Sequence, residues 1–224
     1  PRYPVPEKLT ISGLMNHVYN GAFGVVVPLT IARDAQPGVM DIAVKAQWLA
    51  CTDEICVPES GELKATVRIA ANGQDESYDI DRWLRHLPAP LDAPAQFAMS
   101  GNTIRLGIPL PASVKLADPH FFIAEDKVAA YATPQEFRRK GDLLVVTLQR
   151  PQFAAAPQVP RFSGVLRLDG EGNGIAIRAE PGTVPQGGEP VAGAEPAAPA
   201  LPALPLLLLG ALLGGATALN FVLY

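Results

Sequence analysis

Two cysteines and three histidines are the only Cys or His metal ligands in the 224 residues. Structural zinc takes four Cys/His ligands. His17, His86 and His120 do not stand at motif spacing from each other or from the cysteines, so no resident metal or cofactor is expected. Charge is scarce as well. Asp, Glu, Lys and Arg make up 18% of the chain and the net charge is -4, which leaves no basic face for nucleic acid. No phosphate loop and no nucleophile–base pairing occurs. Long helical patterns are few, while Pro (23) and Gly (20) are frequent. That balance favours short strands and many turns, an all-β chain. The opening Pro1-Arg2-Tyr3-Pro4 has neither an initiator Met nor an apolar leader and reads as a fragment or a processed chain.

What is present is alternation. In Val39 to Ala50, Ile42, Val44, Ala46 and Trp48 fall on one face and Asp41, Ala43, Lys45 and Gln47 on the other, the period-2 mark of a half-buried strand. Leu63, Ala65, Val67 and Ile69 repeat it. Cys51 to Gly61 must hold the turn between them. Ala22 to Ala32 is apolar and rich in β-branched residues. Trp83, Leu84 and Leu87 have helical spacing, so a short helix is expected within Tyr78 to Leu87. Pro88, Pro90 and Pro94 then mark a boundary, because proline lacks the donor that helix and sheet need.

Further strands are expected at Thr103 to Pro109, Pro119 to Ile123, Asp142 to Gln149, Arg161 to Asp169 and Gly174 to Ala179. The run Asp169-Gly170-Glu171-Gly172-Asn173-Gly174 suits a hairpin loop. From Glu180 to Ala203 the chain is mostly Pro, Gly and Ala and reads as an extended tether. Leu201 to Tyr224 carries no charge and just reaches the ~20 apolar residues of a membrane span. The expected division is residues 1–88 and 95–180 as two β units, 181–203 as linker, and 204–224 as the start of a transmembrane helix.

The chemistry narrows to Cys51-Thr52-Asp53-Glu54-Ile55-Cys56. Spacing alone leaves three readings. A structural disulfide would close a very short loop and gain little loop entropy. A metal site lacks partner ligands. A redox-active pair at the mouth of a β loop would be exposed and exchangeable.

The run Trp48-Leu49-Ala50-Cys51-Thr52-Asp53-Glu54-Ile55-Cys56-Val57-Pro58-Glu59 resembles the cysteine motif of the N-terminal domain in the DsbD/ScsB family of thiol:disulfide interchange proteins. Pro6-Glu7-Lys8, Gly13-Leu14 and Tyr19-Asn20-Gly21 resemble the segment that precedes the motif in the ScsB-like branch. Phe121-Phe122 and Ala132-Thr133-Pro134-Gln135 resemble a phrase of that branch's second β domain. Leu213-Gly214-Gly215 through Leu219-Asn220 looks like the family's first transmembrane helix, although the Pro-Cys pair that usually follows the Asn is replaced by Phe221-Val222.

The resemblance implies an immunoglobulin-like β-sandwich followed by a second β-sandwich, on the periplasmic side of a bacterial inner membrane. It implies that Cys51 and Cys56 relay electrons with no cofactor beyond their own disulfide. A thioredoxin-like domain of the same protein, or a separate thioredoxin-like protein, would reduce the pair. The pair would then reduce disulfides of periplasmic proteins. Cys56 would hold the mixed disulfide and Cys51 resolve it. Val18 and Tyr19 are the candidates for a shielding cap, and Trp48 and Pro58 flank the site. Asp53 and Glu54, as carboxylates between the cysteines, would oppose thiolate formation. The rival is a non-catalytic, membrane-tethered β-sandwich binding module with a structural disulfide. A copper-handling variant of it is conceivable because soft thiolates bind copper(I).

Overall fold

The computed structural model describes residues 1–52, 54–70, 78–151 and 160–194. The expected transmembrane segment, 204–224, lies outside them, as does Asp53. Among the described residues no helix is long and apolar enough to cross a membrane.

The described residues are all-β apart from one short helix. Strands β1 (Glu7–Ile11) and β2 (Leu14–Val18) form a hairpin. Its two turn residues, Ser12 and Gly13, both have positive φ (50° and 80°), as a type I′ turn requires. Strands β3 (Gly38–Cys51) and β4 (Cys56–Ile69) make a long antiparallel ribbon. Helix α1 (Tyr78–Leu84) follows at the expected place.

Nine further strands make one sheet: β5 (Ala89–Pro90), β6 (Ala95–Ser100), β7 (Thr103–Pro109), β8 (His120–Ile123), β9 (Glu136–Lys140), β10 (Leu143–Gln149), β11 (Phe162–Arg167), β12 (Gly174–Pro181) and β13 (Glu189–Pro190). Their order is β13-β9-β10-β7-β6-β12-β11-β8, with β5 also beside β12. The sheet curls over a core in which Phe97 meets Phe162 edge to face, ring centroids 4.5 Å apart. Ile104, Leu106, Leu144, Val146, Leu166 and Ile177 are fully buried in it. Each such side chain contributes on the order of 1.5–3 kcal/mol, so the core lies here and not in the ribbon.

One expectation needs correction. The tether begins later than Glu180. Val184 is buried against Gly107, and β13 pairs with β9, so residues up to 194 belong to the sheet edge. The Pro/Gly/Ala composition misled because Pro and Gly also serve an edge strand. The apolar run Ala22 to Ala32 forms no strand. Val26 makes one bridge to Arg2, while Val25, Val27, Leu29 and Ile31 are exposed. The turn expected within Cys51 to Gly61 lies between Cys51 and Cys56, because β4 starts at Cys56 itself.

The N-terminal arm leans on the large sheet. Val5 is buried and sits against Gly174, where a Cβ would come within 2.6 Å of it. His17 of β2 meets Phe122 of β8 edge on, at 4.9 Å.

Candidate functional site

The ribbon brings Cys51 and Cys56 together because they are its last paired residues. They form a disulfide with Cα atoms 4.0 Å apart. Beyond them the Thr52 N–H donates to the Ile55 carbonyl at 2.8 Å. In an antiparallel ladder hydrogen-bonded and non-hydrogen-bonded pairs alternate. If 52 and 55 are a bonded pair, then 51 and 56 are a non-bonded one, where opposed Cα atoms approach most closely. By the same alternation Leu49 and Pro58 are a non-bonded pair, so Pro58 costs the ladder no hydrogen bond.

The register assigns the faces. Met40, Ile42, Val44, Ala46, Trp48 and Ala50 stand opposite Val67, Ala65, Leu63, Gly61, Glu59 and Val57. That face is almost wholly apolar. The cysteines lie on the other face, in line with Leu49–Pro58, Gln47–Ser60 and Lys45–Glu62. The disulfide is thus on the polar side of the ribbon, and both cysteines are half-buried. Exposed apolar residues surround the tip: Leu49 (61%), Ile55 (60%) and Val57 (49%). Among the described residues no other strand or helix packs broadly against the ribbon.

Trp48 is 47% exposed, and its Nε1–H donates to Glu59 Oε2 at 2.8 Å. An open depression of about 420 Å³ beside it is lined by Gln47, Trp48, Leu49, Pro58, Glu59 and Ser60. Glu54 is exposed, and its backbone N–H donates to the Thr52 hydroxyl.

The structure places Val18 at the end of β2, opposite Glu7. Tyr19 follows and stacks between Tyr3 (6.2 Å) and Phe23 (4.8 Å). Burial, and then the neighbouring Tyr3 phenol, push its hydroxyl above the usual tyrosine range. Neither ring partner is on the ribbon. His120 and His17 are held by packing around Phe122, and His86 bonds the Arg82 carbonyl at the end of α1. Among the described residues no group of His, Cys, Asp and Glu is arranged to hold a metal.

Two residues at the site were not singled out in the sequence. Glu59 stands across from Trp48, which the register alone reveals. Thr52 follows Cys51 directly, and a Thr at a turn start, free to bond local backbone, was the available signal.

Residues 1–68, which include both cysteines, match the family model described as "Thiol:disulfide interchange protein DsbD, N-terminal". No curated protein matches the chain. Among solved structures, the N-terminal periplasmic domain of ScsB from Proteus mirabilis is similar, with a TM-score of 0.54 and 15% identity over 81% of this chain and 72% of that one. At that identity the likeness speaks for the fold alone. The matched residues hold the cysteine pair and share a family model with DsbD N-terminal domains, and the fold of the chain is similar to that of the ScsB domain.

Proposed function

We propose that the chain is a periplasmic thiol–disulfide relay. It takes electrons from a thioredoxin-like domain and passes them, through Cys51 and Cys56, to disulfides of partner proteins. The observation that carries this is the place of the disulfide: at the free tip of a ribbon, half-buried, and outside the core that stabilises the fold. A bridge that served stability would be expected to tie the core. The reading further takes residues 1–88 as the redox unit, 95–194 as a second β unit and 204–224 as the membrane entry.

The exchange balances as two thiol–disulfide steps. A donor thiolate attacks Cys56 Sγ, the Cys51–Cys56 bond breaks, and Cys51 leaves as the thiolate. The donor's second thiolate then attacks the mixed disulfide and frees Cys56. The donor ends oxidised by two electrons and the pair ends as the dithiol. The same steps in reverse order pass the electrons to a substrate disulfide. Cys56 is assigned the exchanging role because Val57-Pro58 follows it, and an open strand edge beside a proline leaves room for an incoming chain.

The test is a non-reducing gel of single mutants mixed with a thioredoxin-like donor cut down to one reactive thiol. Cys51→Ser should accumulate a covalent complex, and Cys56→Ser far less. Equal trapping by both would overturn the roles and keep the relay. No trapping by either would overturn the relay.

A further inference from the structure

The Thr52 side chain ties the loop between the cysteines. The Thr52 hydroxyl accepts the backbone N–H of Ile55 at 3.1 Å and that of Glu54 at 3.2 Å. Its own backbone N–H donates to the Ile55 carbonyl at 2.8 Å. In an unbroken ladder a bonded pair exchanges two backbone bonds. Here the returning amide of Ile55 goes to the hydroxyl instead. The side chain therefore closes the hairpin next to the sulfurs, in a segment where Thr52, Glu54 and Ile55 are all exposed and where, among the described residues, no other strand or helix packs broadly against the ribbon.

We propose that Thr52 is a positioning residue that helps set the reduction potential of the Cys51–Cys56 pair. The proposal rests on the relay reading and assigns a regulator to the same site. While the disulfide is formed, the covalent bond already holds the turn, so the hydroxyl bonds cost little extra ordering. Once it is reduced, the turn is held by those bonds and by the backbone ladder that leads up to it. The hydroxyl bonds are worth more in the oxidised state, where the ordering entropy has been met in advance. They also keep the two thiols opposed after reduction, which raises their effective concentration toward one another. Both effects favour the disulfide. Loss of the hydroxyl should shift the pair toward the dithiol, to a less negative potential.

The equilibrium to measure is the disulfide plus two glutathione thiols giving the dithiol plus glutathione disulfide, in which two electrons and two protons reach the pair. Wild type, Thr52→Val and Thr52→Ser are equilibrated in glutathione buffers of graded ratio, and the dithiol fraction is read by alkylation and mass shift. Valine keeps the β-branched shape and removes the acceptor. Serine restores the acceptor. Thr52→Val should favour the dithiol about fivefold more than wild type, which is about 20 mV for a two-electron couple. Thr52→Ser should stay within about twofold of wild type. A valine variant within twofold of wild type would overturn the proposal. So would a serine variant that shifts as far as valine, because the β-branch and not the hydroxyl would then be responsible. A wild-type pair that resists reduction throughout these buffers would count against the relay reading. In that case the same ratios, taken with a stronger dithiol reductant, still decide the role of Thr52.

Discussion

Burial of His120 makes the large sheet sensitive to mild acid. The residue is 5% exposed on β8. Its Nε2 lies 3.3 Å from Gln135 Nε2, and its ring packs on Phe122 at 4.6 Å. The Gln135 amide is oriented by its other bonds, since Oε1 accepts the Phe121 N–H and Nε2 donates to the Phe121 carbonyl. The ring nitrogen facing it therefore accepts, which a neutral imidazole can do and an imidazolium cannot. Desolvation first, then the positive charges of Lys8 and Arg167 and the proximity of His17, lower the pKa from 6.5 to about 3. Asp118 faces the same region but is paired to Arg167 at 2.6 Å. The folded state thus binds the proton far more weakly than the unfolded state. Stability is fully present above pH 6.5 and is lost as pH falls toward 3. One unit below the ordinary value, at pH 5.5, the loss from this residue is about 1.4 kcal/mol. Urea unfolding followed by sheet circular dichroism at pH 7.5 and 5.5 measures it. His120→Gln and His120→Phe should each lose less stability than wild type over that interval, by about 1.4 kcal/mol. Equal losses in wild type and both variants would refute the reasoning.

Two further outcomes follow from the packing. Gly164→Ala places a Cβ 2.3 Å from the Phe122 carbonyl and 2.6 Å from the Phe121 ring. That should cost about 3 kcal/mol, with a melting temperature lower by roughly 10 °C or more, whereas Gly170→Ala, which meets nothing within 4 Å, should be near neutral. Replacing both cysteines by serine opens a loop of only a few residues, worth roughly 2 kcal/mol at most, on a ribbon that the core does not use. The melting temperature of the large sheet should therefore stay within about 2 °C of wild type, and a larger fall would make the bridge structural.

Much of this was legible in the sequence where period-2 alternation was clean. Thr103 to Pro109 is β7 to the residue, and the strands ending at Ile123 and Gln149 are displaced by only one residue at their starts. The Asp169 to Gly174 loop joins β11 to β12, with Asp169 accepting the backbone N–H groups of Glu171 and Asn173. The sequence hid β9, because Glu136-Phe137-Arg138-Arg139-Lys140 offers a single buried apolar residue, and its arginines serve as clasps. Arg139 donates to the carbonyls of Leu110, Pro111 and Val114. The hairpin β1–β2 was hidden too, since Lys8 to His17 alternates weakly and meets the sheet through an aromatic contact, His17 on Phe122, that periodicity does not signal. The cysteine pair was legible from its spacing and flanking motif. Its environment was not, because which face it shares depends on a register that begins only at Cys56.

The central claim is that the 51–56 disulfide exchanges. The most direct measurement is its reduction potential, read in the intact chain by equilibration against redox buffers. A relay predicts a value clearly above about −300 mV, within reach of thioredoxin-like donors. A value below about −300 mV, where structural disulfides lie, would contradict the account.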